Sequence, residues 1–178
     1  MVVALIGKIA LAGVAAATAG ISLVASADVK RASAYGAPAS ALEAGASARY
    51  AAAIFERADL NNDGDLDAEE FEVLAVVTAE LSRLNGFVTV NVEGGVRTVA
   101  APHGDPSLSK AEKARLKIRA ADEFAAIAGD DQRLGADEFV TAELERFLAS
   151  DADRNGVLTG AELSSFALAR ARSTTISS

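Results

Sequence analysis

Residues 59–70 read DLNNDGDLDAEE. Six of the twelve side chains are acidic, and Gly64 sits near the centre. Like charges this close repel one another, so the run is either a fully solvated turn or a lining in which something positive belongs. Residues 151–162, DADRNGVLTGAE, repeat its spacing of Asp or Asn at the first, third and fifth positions, glycine at the sixth and glutamate at the twelfth. Four segments then align without gaps: DGDLDAEEF from Asp63, DPSLSKAEK from Asp105, DQRLGADEF from Asp131 and NGVLTGAEL from Asn155. Their leucines fall at 66, 108, 134 and 158. The first gap nearly equals the other two once an insertion of about sixteen residues is subtracted, which makes four units of one repeat.

The stretches around these runs have helical spacing. Tyr50, Ile54 and Phe55 predict a helix over 47–58, and Phe71, Leu74, Val77 and Leu81 one over 68–84 that stops at Asn85-Gly86. Then the period drops to two. GFVTVNVEGGVRTVAAP alternates, turns at Gly94-Gly95 and returns, predicting a β-hairpin inserted over 86–101. Helical spacing resumes over 109–128, with Ser107 or Ser109 as N-cap, and again over 136–149 and 160–172. Residues 28–46 are small and punctuated by Pro and Gly, so they read as a linker, and 173–178 as a disordered tail. Ahead of the linker, the apolar run 9–27 follows Lys8 and closes on Ala25-Ser26-Ala27. That is the pattern of a cleaved export signal over 1–27. An uncleaved membrane anchor is the alternative, since such a run can just span a bilayer. Either way the rest of the chain is expected to be exported, periplasmic or secreted, with no membrane contact once the signal is removed.

The runs 59–70 and 151–162 resemble the calcium loop of the EF-hand family, and the resemblance extends over about 47–172. It implies an all-α array of helix–loop–helix units, two intact and two degenerate, with the small hairpin inserted. Calcium takes six to eight oxygens at about 2.3–2.6 Å, and a short loop wraps it with alternate residues. The resemblance assigns side-chain oxygens to Asp59, Asn61 and Asp63, the backbone carbonyl to Asp65, a direct or water-mediated contact to Asp67, and bidentate closure to Glu70. The second set is Asp151, Asp153, Asn155, the Val157 carbonyl, Thr159 and Glu162. Two calcium ions are therefore expected. With four ligand carboxylates against three, the first loop is expected to bind more tightly. In the window ending at Glu112, Ala101 takes the first position and Pro106 replaces the glycine. In the window ending at Glu138, Ile127 and Gly129 take the first and third positions and Gln132 replaces the glycine. These two windows read as packing partners of the good loops. Twelve residues, 139–150, separate the third window from the fourth, which is room for one helix. This spacing, export and Asp67 at position nine are similar to the lanmodulins, periplasmic EF-hand proteins that select lanthanide ions, although Leu60 and Ala152 stand where those loops carry proline.

Composition narrows the remaining classes. The chain has 178 residues and net charge −8, which disfavours nucleic acid as a partner because phosphate neutralisation needs clustered Lys and Arg. Without cysteine it holds no disulfide, zinc–thiolate site or cysteine nucleophile. Met1 is the sole methionine, so the methionine-rich groove of a calcium sensor is missing, and a metal-stabilised buffer is favoured. His103, the one histidine, lies in a Pro/Gly-rich loop with no nucleophile pattern near it, which argues against an enzyme. The hairpin, marginal alone, is expected to lie on the domain or else to dock a protein partner.

Overall fold

The computed structural model describes residues 37–92, 95–105 and 107–172. The expected export signal, residues 28–36 of the 28–46 linker, the first residue of the hairpin turn at Gly94 and the 173–178 tail lie outside the described residues. Eleven elements follow in order: β1 (Ala41–Glu43), α1 (Ala44–Ala58), β2 (Asp65–Leu66), α2 (Ala68–Asn85), β3 (Phe87–Val92), β4 (Gly95–Ala100), α3 (Lys110–Ala128), β5 (Leu134–Gly135), α4 (Ala136–Ser150), β6 (Val157–Thr159) and α5 (Gly160–Arg172). A single 3-10 turn, Gly129–Asp131, follows α3.

The helices start and stop where local chemistry dictates. At the start of α2 the Asp67 carboxylate accepts from the Glu70 N–H, and Glu70 accepts in return from the Asp67 N–H. This reciprocal cap satisfies two donors that a helix start leaves orphaned. Ser109 and Glu112 do the same for α3. The left-handed Gly86 ends α2. On α2, Phe71 and Val77 are buried whereas Leu74 is half-buried against the same core.

Three antiparallel strand pairs organise the rest. β2 pairs with β5, setting Leu66 opposite Leu134, and β1 pairs with β6, setting Leu42 opposite Leu158. All four leucines are almost wholly buried. Because α1 runs from β1 to β2 and α4 from β5 to β6, the two helices are antiparallel and join the two strand pairs. At 1.5 Å per residue each spans about 22 Å, so the runs 59–70 and 151–162 sit at opposite ends of this frame.

A core lies beneath each pair. Under β2–β5, Phe55 meets Phe139 with ring centroids 6.0 Å apart, and Phe71 meets Phe124 at 5.8 Å. Under β1–β6, Phe147 meets Phe166 at 6.2 Å, edge to face. These tilted contacts suit the ring quadrupoles. Val88, Val90 and Val99 of the third strand pair, β3–β4, join this second core, so one face of that pair packs on the domain. Between α1, α3, α4 and α5 runs a charged network. Glu143, buried, pairs with Arg146 and with Arg170 at 3.2 Å, while Arg146 also meets Glu123. Burial, then the neighbouring Arg170, pulls Arg146 down to about 10, still protonated at neutral pH. The Arg170 guanidinium lies 5.3 Å over the Tyr50 ring, whose hydroxyl meets that of Thr89 at 2.5 Å.

Two expectations need correction. The linker does not extend to residue 46: β1 and the first turn of α1 belong to the folded core, with Leu42 and Ala46 buried. Nor does each degenerate window pack on an intact one. The 127–138 window does, through Leu134. In the 101–112 window Leu108 lies in no strand and packs on Ala79 and Leu116 instead. The place opposite the 151–162 run is taken by β1. The reason is burial: Leu158 needs an apolar partner across the strand pair, and Leu42 supplies it.

Candidate metal centres

Each acidic run begins as a helix ends. Asp59 is the C-cap of α1 and Asp151 that of α4, their N–H groups donating to Phe55 and Phe147 at 3.0 Å. The chain then folds back over its own first carboxylate. Asp59 Oδ1 accepts from Asp63 N–H at 3.2 Å and Oδ2 from Gly64 N–H at 3.1 Å. Asp151 accepts from Asn155 N–H at 3.2 Å and from Gly156 N–H at 2.9 Å. Such a curl requires left-handed backbone. Asn62 and Gly64 take φ of 59° and 92°, and Arg154 and Gly156 take 57° and 79°. Only glycine adopts the sixth-position geometry without a steric penalty.

The twelfth residue closes the ring. Glu70 Oε1 accepts from the N–H of Leu60 at 2.8 Å and of Asn61 at 3.1 Å, while Oε2 accepts from Asp67. Glu162 Oε1 accepts from Ala152 at 3.0 Å and Asp153 at 3.4 Å, and Oε2 from Thr159 at 3.4 Å. Donor for donor, the two loops are built alike. Glu70 and Asp151 are buried, at 5% and 4% exposure, and are held in the loops by neutral N–H dipoles. A buried anion held by dipoles alone is poorly compensated, and a cation supplies the missing term.

In the 151–162 loop, carboxylate oxygens of Asp151, Asp153 and Glu162 lie within 4.8 Å of one another, the one such group among the described residues. Oxygens on opposite sides of a calcium ion stand about 4.6–5.2 Å apart, so this spread fits one coordination sphere. Asp153 and Asn155 are further tied by a 2.8 Å side-chain bond, and Asn155 Oδ1 accepts from Val157 N–H at 2.7 Å. In the 59–70 loop the third and fifth residues are tied through backbone, Asp63 N–H donating to Asn61 Oδ1 at 2.7 Å. There the Asp63 carboxylate also turns outward: its Oδ2 meets Arg133 Nη2 at 2.7 Å, and Asp65 Oδ2 meets Arg133 Nε at 2.9 Å.

Residues 51–75 match the family model for the EF hand. The match holds the end of α1, the whole 59–70 loop and the start of α2, a helix–loop–helix that in this family binds calcium. No curated protein and no solved structure matches the chain. Outside the matched segment, the 151–162 loop reproduces the hydrogen bonding of the 59–70 loop. The 127–138 window shares part of the backbone geometry of the 59–70 loop without its Asp and Asn side chains at the first and third positions. Gln132 holds the sixth position at φ 55°, and Glu138 Oε2 accepts from Gly135 N–H at 2.9 Å.

In the 101–112 window a guanidinium stands at the closing glutamate. Arg83 Nη2 lies 2.6 Å from Glu112 Oε1. That hydrogen bond first, then those of Ser109, holds the Glu112 carboxyl at about 2, below its ordinary 4.5. A carboxyl depressed on folding contributes stability above about 4.5, lost as pH falls towards about 2. Melting of wild type and Arg83→Ala, both in chelator, checks this: the gap in Tm narrows from pH 5 to pH 2. A gap that stays constant or widens contradicts it.

Sequence reasoning singled out the residues of both acidic loops and did not single out Arg83, Arg133 or Leu42. The arginines carry no local signal. Leu42 does, because it lies 24 residues before Leu66, the same step that separates Leu134 from Leu158.

Proposed function

We propose that this is an exported calcium-binding protein that takes one ion in each of the loops 59–70 and 151–162. The ligands are Asp59, Asn61, Asp63, the Asp65 carbonyl, Asp67 and Glu70 in one, and Asp151, Asp153, Asn155, the Val157 carbonyl, Thr159 and Glu162 in the other. Calcium binding by the EF-hand segment is the part the family match supports. What carries the extension to a second site is the shared hydrogen-bond plan, in which backbone N–H groups already hold the first and twelfth carboxylates inward. The role is that of a buffer whose fold is strengthened by its ions. Each ion sits beside one strand pair, at one end of the α1–α4 frame.

Single-site variants test it. Glu70→Gln and Glu162→Gln each remove one closing carboxylate and should each weaken one of two calorimetric calcium sites by at least about tenfold, about 1.4 kcal/mol. Loss of both sites from either variant, or of neither, rejects independent sites. Lanthanum titrated in parallel addresses the trivalent alternative, for which the single helix α4 between the third and fourth windows is the supporting observation. Nanomolar lanthanum binding without a calcium response would favour it.

A further inference from the structure

The degenerate 127–138 window does more than pack. It places a positive charge on its neighbour's ligands. β5 pairs with β2 so that Leu134 faces Leu66, which brings the preceding residue, Arg133, alongside the 59–70 loop. The Arg133 N–H donates to Asp131 Oδ1 at 3.2 Å, anchoring the residue at the turn. Its guanidinium bridges two carboxylates, reaching Asp63 at 2.7 Å and Asp65 at 2.9 Å. These oxygens differ in role. Asp65 is a ligand through its backbone carbonyl, so its carboxylate is free to hold an arginine. Asp63 is a ligand through its carboxylate, whose Oδ1 already accepts from Asp65 N–H at 3.1 Å while Oδ2 faces Arg133.

Resting on the calcium reading above, we propose that Arg133 is a built-in competitor for the 59–70 site, a specificity-determining residue supplied by the loop that lost its own ligands. An incoming cation must share Asp63 with the guanidinium or displace it, and meets its charge in either case. The fifth position of the other loop is Asn155, which is neutral, and there three carboxylates converge without such a partner. Arg133 therefore offsets the extra carboxylate of the 59–70 loop and narrows or reverses the ranking expected from ligand charge. Since the repulsion scales with the charge of the ion, it opposes a trivalent cation more than a divalent one.

The test is calorimetry of Arg133→Gln and Arg133→Lys in the full chain, with Glu162→Gln present so that the 59–70 loop is read alone. An exposed charge pair is worth up to about 1 kcal/mol, so Arg133→Gln should tighten calcium about fivefold and lanthanum by a larger factor. The gain should shrink as salt is raised, because the guanidinium is exposed to screening ions. Arg133→Lys, which keeps the charge and loses the fork, should gain less. Unchanged or weakened calcium binding in Arg133→Gln, with helicity retained, overturns the proposal and leaves the calcium reading standing. So does a gain no larger for lanthanum than for calcium. If Glu162→Gln alone takes up no calcium while wild type binds one ion, the 59–70 site itself is refuted. Should Arg133→Gln lose helicity, Arg133→Lys decides: calcium binding tighter than in the Glu162→Gln parent supports the proposal, and unchanged or weaker binding overturns it.

Discussion

Replacing Leu42 with alanine is expected to destabilise the metal-free chain by about 2–5 kcal/mol, the usual range for emptying a buried leucine site. Leu42 is 1% exposed, lies opposite Leu158 and belongs to the core that holds Phe147 and Phe166. Relaxation around it is limited, because β1 is also fixed by Ala44 N–H donating to the Gly156 carbonyl at 3.1 Å. That bond lands on the left-handed turn of the 151–162 loop, beside Val157, whose carbonyl is a proposed ligand. Loss of stability and loss of affinity should therefore coincide: calcium at 151–162 weakens while 59–70 is unaffected. Urea denaturation in chelator measures the first effect and calorimetry the second. A change below about 1 kcal/mol, smaller than a buried leucine site allows, means that residues 41–43 are the linker their composition suggests.

Calcium should raise stability by a comparable amount. An ion that binds the folded chain and not the unfolded one stabilises by about 2.7 kcal/mol per site at a hundred times its Kd. Two sites give about 5 kcal/mol, and for a domain of this size each kcal/mol moves Tm by about 2–4 °C, so a rise of about 10–20 °C is expected. The loops are curled by their own hydrogen bonds, with Glu70 and Asp151 buried on backbone N–H groups, so little of this binding energy is expected to go into ordering backbone. Helicity should therefore change less than Tm does. A large gain in helicity with a small shift in Tm means that the loops fold around the ion instead of awaiting it. Glu70→Gln and Glu162→Gln should each remove about half the shift.

The parts of this fold that could be read from sequence are those whose determinants are contiguous. Twelve consecutive residues hold each proposed ligand set. Asp67 and Glu70 sit three apart and cap α2, and Phe87 to Val92 alternate in one strand. Which loops face each other is a different kind of information. Leu66 meets Leu134, and Leu42 meets Leu158, across long stretches of chain, and nothing local in either partner names the other. β1 was hidden further because it carries no acidic-loop motif and sits in a Pro/Gly-punctuated stretch, leaving a buried leucine as the trace of its role. Arg83 and Arg133 were invisible for the same reason. Each acts on a carboxylate of another segment, Glu112 and Asp63, and becomes meaningful only once the helices or strands carrying them are packed.

The calcium-linked expectations presuppose ions bound at defined stoichiometry. Equilibrium dialysis of the metal-depleted chain against calcium counts them directly. Two ions per chain are predicted, falling to one in either Glu70→Gln or Glu162→Gln. Uptake of none by the wild-type chain, or two retained by both variants, contradicts the assignment of Asp59–Glu70 and Asp151–Glu162 as the metal-binding loops.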